Sequence, residues 1–278
     1  MIFFSILLSL TQIASQIDGT VGISAINIET GKSISVHADE RFPMASVFKF
    51  PTALEALHQV DRGRLNLDQK IVIEPKDFSP GWSPLRDAAK GKPLTITHRE
   101  LLVAMLRDSD NTAADVFLGI LGAKNVTQRL RELGVTGIRI DRTEKMMGHD
   151  ISEPGGIARY AVDPRDTATP NAIRTLLVKF ANRQDGLTPA SHDLVWHLMT
   201  ETKTGMNRIK SILPPGASLA HKTGTMPGTV NDAGVITTPD GRHIVIAVFT
   251  KGRTRSTDVQ AEKVIAEIAR AVYAELAR

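Results

Sequence analysis

The chain has 278 residues, 42% hydrophobic and 23% charged, which describes a globular protein of one large domain or two closely packed lobes and excludes disordered and fibrous sequences. Thirty-four Lys and Arg against 30 Asp and Glu leave a formal charge of +4, scattered without a basic arm or stripe, so nucleic acid is not an expected partner. There is no cysteine, which excludes thiol nucleophiles, iron–sulfur clusters, cysteine zinc sites and disulfides.

The longest apolar run, Ile2 to Leu10, is about half of the roughly 20 residues that a membrane span requires, so no spanning segment is expected. It reads instead as the apolar region of an export leader, with small residues at Ala14-Ser15 where cleavage could occur. Residues 1–16 are therefore expected to lie outside the fold, and the protein to be periplasmic or secreted. A buried helix is the other reading of the same segment.

Gly19 to Asn27 is rich in β-branched residues and predicts a strand, followed by a turn at Glu29-Thr30-Gly31-Lys32 and a second strand from Ser33 to His37. From Ala45 to Val60 apolar residues recur at helical spacing and stop at Arg62-Gly63, with Ser46 in the first turn. The helical period returns at Thr97–Leu106, Thr112–Leu121, Val126–Leu133, Ala172–Phe180 and Ser191–Met199. Asp141 to Pro170 shows no period, and a structureless stretch of that length in a compact domain is usually functional or disordered. Strands are predicted at Ser218–Thr225, Val230–Thr237 and His243–Thr250, and a closing helix at Asp258–Leu276. Strands at both ends with helices between them predict an α+β fold: an antiparallel sheet from distant parts of the chain, flanked by helices, with an all-helical lobe inserted and a cleft between the lobes.

Four short motifs carry chemistry. Ser46-Val47-Phe48-Lys49 places an amine three residues after a hydroxyl on the same helical face, at a helix start where backbone N–H groups favour a developing anion. Ser109-Asp110-Asn111 sits between two predicted helices, where the plain alternative is a helix cap. Lys-Thr-Gly occurs twice. Lys203-Thr204-Gly205 follows a helix, and Gly205 reads as its C-terminal cap. Lys222-Thr223-Gly224 lies in a strand, where alternation aims Lys222 and Gly224 to one side and lets a substrate backbone approach. The eight histidines include no His-Glu-x-x-His, and no metal site is expected.

In this order Ser46-x-x-Lys49, Ser109-Asp110-Asn111 and Lys222-Thr223-Gly224 resemble the active-site set of the class A serine β-lactamases, from about Gly19 to the C-terminus. The resemblance implies one catalytic domain over 17–278, with an α/β lobe at about 17–45 and 206–278 and a helical lobe at about 46–205. It implies hydrolysis of a β-lactam amide through an acyl-enzyme, without cofactor, by a monomer acting on a small molecule. Ser46 corresponds to the nucleophile, Lys49 to the amine that helps deprotonate it, and Ser109 to the donor to the departing nitrogen. The N–H groups of Ser46 and Thr225 correspond to the oxyanion hole, Lys222, Thr223 and Gly224 to the carboxylate-binding strand, and Asn111 to the holder of the acylamide. Asn231 stands where many members place an arginine, so Arg208 is expected to grip the carboxylate with two prongs. Trp82 is either an aromatic at the cleft mouth or a partly buried core residue.

Glu144 resembles the base that activates the deacylating water, and Arg142 and Asp166 the ion pair that closes its Ω-loop. Lys145 and Gly148 depart from the proline and asparagine many members carry there, and His149 is considered as a replacement helper. The stretch from Glu144 to Asp166 is also longer than in common members, with Pro154-Gly155-Gly156 inside it. A penicillin-binding D,D-peptidase shares the serine, lysine and Lys-Thr-Gly logic but lacks such a base, so Glu144 argues for the lactamase.

Overall fold

A computed structural model describes Ile2–Arg278. The first part supplies α1 (Ile2–Ala14), β1 (Thr20–Asn27), β2 (Ser33–Val36) and β3 (Phe42–Pro43). Then come α2 (Lys49–Asp61), β4 (Lys70–Ile73), α3 (Pro84–Ala89), β5 (Leu94–Thr97), α4 (His98–Leu106), α5 (Asn111–Leu121) and α6 (Ala123–Glu132). The stretch read as aperiodic holds α7 (Glu144–Ser152), α8 (Gly156–Tyr160) and β6 (Thr167–Ala168), and α9 (Pro170–Ala181) and α10 (Pro189–Thr200) follow. The chain closes with β7 (Ser218–Met226), β8 (Thr229–Thr237), β9 (His243–Lys251) and α11 (Asp258–Leu276).

Five strands form one antiparallel sheet in the order β2-β1-β9-β8-β7, so segments from the two chain ends pair, β1 against β9. The central strand shows how its faces are covered. Val245, Ala247 and Phe249 enter the core shared with the helical lobe, while Ile244, Ile246 and Val248 enter a second core with α1 and α11. Successive strand residues point to opposite faces, so an unbroken apolar run belongs to a strand buried on both. In the helical lobe every residue of α2 from Lys49 to Leu57 is buried. Such a helix is surrounded by others, and its first turn meets the cleft.

Several expectations change. Residues 2–14 do not stand apart: they form α1, and Leu10 is buried in the core that α11 shares. Ile6, Leu10, Ile13 and Ile17 recur at helical spacing and face this core, a stripe that resembles a leader when only apolar content is read. Met1, the first residue of that expected leader, lies outside the described residues. The inserted lobe is not all-helical, since β4 pairs with β5 and β3 with β6. Within it, α9 packs across β9 and β1, and α10 packs along β7, so the helical insertion also braces the sheet. Helices α7 and α8 span 9 and 5 residues, too short for a period to register in sequence.

Candidate active site

Ser46 lies in a 3-10 turn, Ala45–Phe48, that leads directly into α2. Ala45 is held at φ +45°, an uncommon conformation for a residue with a side chain and one that concentrates at functional sites. The three-residue spacing brings Lys49 Nζ to 3.0 Å from Ser46 Oγ. Lys49 is fully buried, and its ammonium is surrounded by Ser109 O at 2.7 Å, Asn111 Oδ1 at 2.6 Å and Glu144 Oε1 at 3.1 Å. Glu144 Oε1 is itself 3.4 Å from Ser46 Oγ. One hydroxyl thus stands beside an amine and a carboxylate, either of which can exchange its proton.

Ser109-Asp110-Asn111 divides between a cap and the cleft: one residue closes the helix start, and the other two turn polar atoms toward Lys49. Asp110 caps α5 by accepting the Ala113 N–H at 2.9 Å, and it also takes the Leu85 N–H at 2.8 Å. Ser109, at φ +61°, turns its carbonyl to Lys49 while its hydroxyl accepts from Lys222 Nζ at 2.8 Å. Asn111 gives one N–H to Pro80 O at 3.0 Å, leaving its second free for another acceptor.

Strand β7 is the sheet edge that faces the cleft. Burial, with the charges of Lys49 and Arg208 adding to it, holds the Lys222 ammonium well below its ordinary value. A side chain on Gly224 would stand 2.5 Å from Met44 O, so the close approach that requires glycine is made by the chain preceding Ser46 rather than by substrate. Val230, paired with Thr225, spends its N–H and C=O on the Thr250 hydroxyl. Antiparallel pairs exchange both bonds or neither, so the Thr225 N–H faces away from the sheet, toward the cleft.

Asn231 does not serve the cleft. It is fully buried, and its amide donates to Pro43 O at 2.9 Å and Met44 O at 3.1 Å, fastening the segment before the serine. Arg208 is present at the site, but not as an open fork. Its Nη1 donates to Gly224 O at 3.2 Å and Asn231 O at 2.8 Å, its Nε to Glu262 at 3.1 Å, and its Nη2 to Thr225 Oγ1 at 2.6 Å. Of five donors one remains, so Arg208 offers the cleft no open two-pronged fork. Trp82 is 62% exposed and lines the cleft, with Nε1 donating to Asp108 O at 2.8 Å, so it is not a core residue.

Glu144 opens α7 and is held from behind. Asp115 accepts the backbone N–H of Glu144 at 2.6 Å and of Lys145 at 3.0 Å, and the Ser79 hydroxyl at 2.6 Å. Burial pushes the Asp115 carboxyl up. Sequence reasoning missed Asp115, whose only signal is its place one helical turn after Asn111. Arg142 and Asp166 meet, Nε to Oδ2 at 2.6 Å, both almost fully buried. The far end of the loop is pinned to the serine segment, because β6 pairs with β3 and Met44 N–H donates to Asp166 O at 2.9 Å. His149 is 74% exposed, lies beside Glu153 and does not line the cleft, so it does not stand in for the asparagine. A side chain at Gly148 would begin 3.1 Å from Pro80 Cγ, a tight contact.

These groups line a cleft of about 630 Å³ between the lobes, with Ser46, Ser109, Asn111, Glu144, Thr223, Thr225 and Arg208 on its walls. Thr204, Gly205, Met226, Pro227 and Asp258 also line it and were not anticipated. The expectation that Gly205 caps a helix is corrected: α10 ends at Thr200, and Gly205, at φ +71°, lies against Thr223. A serine hydroxyl flanked by an amine and a carboxylate at the wall of an open cleft is the arrangement of a serine-dependent hydrolase.

The model of the β-lactamase enzyme family matches residues 8–276. β-Lactamase VEB-1 of Pseudomonas aeruginosa is 34% identical over 263 residues, covering 91% of this chain and 84% of that protein. A carbapenem-hydrolysing β-lactamase, KPC, of Klebsiella oxytoca is 34% identical over 256 residues, covering 91% and 82%. Among solved structures, a β-lactamase from Chitinophaga pinensis superposes with a TM-score of 0.88 at 33% identity, covering 98% of this chain and 99% of that one. The extended-spectrum β-lactamase TLA-1 superposes with a TM-score of 0.87 at 31% identity, covering 99% of both. The chain belongs to the β-lactamase enzyme family, in its class A, and is a serine β-lactamase.

Proposed function

We propose that Ser46 opens the β-lactam ring and that the product leaves through hydrolysis of a Ser46 acyl-enzyme. The observation that carries this reading is the contact of Ser46 Oγ with Lys49 Nζ, at 3.0 Å, and Glu144 Oε1, at 3.4 Å, at the wall of an open cleft. Lys49 passes a proton to Glu144 across 3.1 Å and, as a neutral amine, takes the serine proton as Oγ attacks the lactam carbonyl. The Ser46 and Thr225 N–H groups hold the resulting oxyanion, a contribution of roughly 3 kcal/mol per donor in comparable enzymes. Because Lys222 donates to Ser109 Oγ, the Ser109 proton is free to reach the ring nitrogen as the C–N bond breaks. The proton that Lys49 took from Ser46 then restores Ser109, and Glu144 returns its own proton to Lys49. The carboxylate can then take a proton from the water that attacks the acyl carbonyl and pass it to Ser46 Oγ as the ester bond breaks. The net change is one water added across the amide.

Lys222, Thr223 and Thr225 receive the substrate carboxylate, with Arg208 behind Thr225. Asn111 offers its remaining N–H to the acylamide, and Trp82 covers the mouth. Arg142 and Asp166 keep the loop that carries Glu144 in shape. The D,D-peptidase reading is set aside, since the similar proteins are β-lactamases and a carboxylate stands beside the serine. We propose that a single chain covering 17–278, with α1 added, forms the catalytic domain and acts as a monomer, because one copy supplies every group named. Export to the periplasm or medium fits substrates that reach a cell from outside. Among the described residues no helix is long and apolar enough to cross a membrane.

The test is steady-state hydrolysis of a penicillin and a chromogenic cephalosporin, with Ser46→Ala as control. Turnover by the parent and none by the variant is the expected result. Substantial turnover by Ser46→Ala would sink the assignment of the nucleophile. Cell fractionation and sedimentation of the purified protein test location and oligomeric state.

A further inference from the structure

We infer that Thr204, from the second copy of Lys-Thr-Gly, is a positioning residue for substrate carboxylates, acting through the Thr223 hydroxyl. The inference rests on the β-lactam hydrolase reading of the cleft.

Thr204 Oγ1 lies 2.5 Å from Thr223 Oγ1, and both residues line the cleft. Its segment is fixed rather than loose. Lys203 N–H donates to Arg107 O at 2.9 Å, and Lys203 Nζ pairs with Asp108 at 3.2 Å, next to Ser109. Gly205 then presses on Thr223, since a side chain there would begin 2.4 Å from Thr223 Cγ2. Only a residue without a side chain lets the Thr204 hydroxyl and the Thr223 hydroxyl meet at this depth, and the φ of +71° favours glycine as well.

The consequence follows from how hydroxyls share protons. A threonine hydroxyl has one proton to give and can accept at its oxygen. Arg208 Nη2 donates to Thr225 Oγ1 at 2.6 Å and cannot accept, so the Thr225 proton must point elsewhere, into the cleft. Thr204 does the same for Thr223: when an anion occupies the site, Thr204 donates to Thr223, and Thr223 donates its own proton to the anion. Two parallel relays, Arg208 to Thr225 and Thr204 to Thr223, thus present two hydroxyl protons to one carboxylate beside the Lys222 ammonium. Chains of this kind strengthen each bond beyond its isolated value.

Kinetics of the parent, Thr204→Val and Thr204→Ser on a penicillin and on its methyl ester test the relay. Thr204→Val is expected to raise KM for the acid up to about ten-fold, the size of one lost hydrogen bond, with kcat within about two-fold. The ester, which lacks the anion, is expected to bind parent and variant alike, and Thr204→Ser to restore the parental KM for the acid. An unchanged KM for the acid, an equal loss on acid and ester, or a failure of Thr204→Ser to restore binding would each overturn the proposal while the hydrolase reading stands. A parent inert toward penicillin overturns that reading and the proposal with it.

Discussion

The Lys49 ammonium lies 3.1 Å from the Glu144 carboxylate, and the two side chains are 0% and 4% exposed. This pair joins the helix that carries Ser46 to the loop that carries the base, so each depends on the other for charge balance. Glu144→Gln keeps the shape of the site but cannot accept a proton from water. Acylation is expected to persist at a reduced rate, because Lys49 loses its proton acceptor, and deacylation to stall, leaving a covalent adduct visible by intact mass spectrometry after exposure to penicillin. Turnover at the parental rate would assign the base elsewhere.

The loop that holds Glu144 depends on Arg142 and Asp166. Arg142 also reaches Asp150 at 2.7 Å and Asp163 at 3.3 Å, while Asp166 accepts the Asp141 and Arg142 N–H groups at 2.7 and 3.0 Å. An exposed pair is worth about 0 to 1 kcal/mol, but removing one partner of a buried pair leaves an uncompensated charge and costs about 3 to 5 kcal/mol. Here two aspartates remain beside Arg142, so the loss falls on loop geometry more than on the fold. Asp166→Asn is expected to slow hydrolysis of small penicillins and to relax selectivity toward bulky cephalosporins. Parental kinetics on both substrates would refute the role.

Arg208 has spent four of its five donors on the protein, so its removal acts through Thr225 as well as through charge. Arg208→Ala is expected to raise KM for carboxylate-bearing substrates about ten-fold or more, with kcat less affected. If KM stays at the parental value, Lys222 and the threonines suffice.

Lys222 supplies a pH dependence with a definite sign. Its folded value lies well below 10.5, because burial and neighbouring cations disfavour the ammonium. The charge that receives the substrate carboxylate is lost as pH rises through the lowered value, so kcat/KM is expected to fall on the alkaline side before pH 10.5. Between the folded and unfolded values the unfolded chain holds more protons, so this group makes the fold more stable as pH rises through that window. Lys222→Arg keeps its charge at every working pH, and its alkaline limb should move upward. A limb that stays in place belongs to another group.

The motifs were legible because their chemistry is local. A hydroxyl and an amine three residues apart on one helix must lie close, and Ser46 and Lys49 do. Lys222-Thr223-Gly224 and Ser109-Asp110-Asn111 likewise carry their residue types in order, and β-branched runs mark the strands. The helical stripe of Ile6, Leu10, Ile13 and Ile17 was also present in sequence, but its apolar content equally suits a leader.

What the sequence by itself determined is therefore the α+β layout, the family, and the residues that can carry charge or protons. What only the tertiary structure decided is how each of them is used, because hydrogen-bond donors are finite and their partners come from distant segments. Asn231 and Arg208 illustrate the division: the first is spent on Pro43 and Met44, and the second reaches the cleft through Thr225. Thr204 was dismissed as part of a helix end until the fold laid its hydroxyl on Thr223, 19 residues away in the chain. His149, a candidate helper in sequence, is 74% exposed, which only the packing of α7 decides. A sequence fixes which atoms are available, while packing of remote segments fixes which of them are left unpaired to meet a substrate.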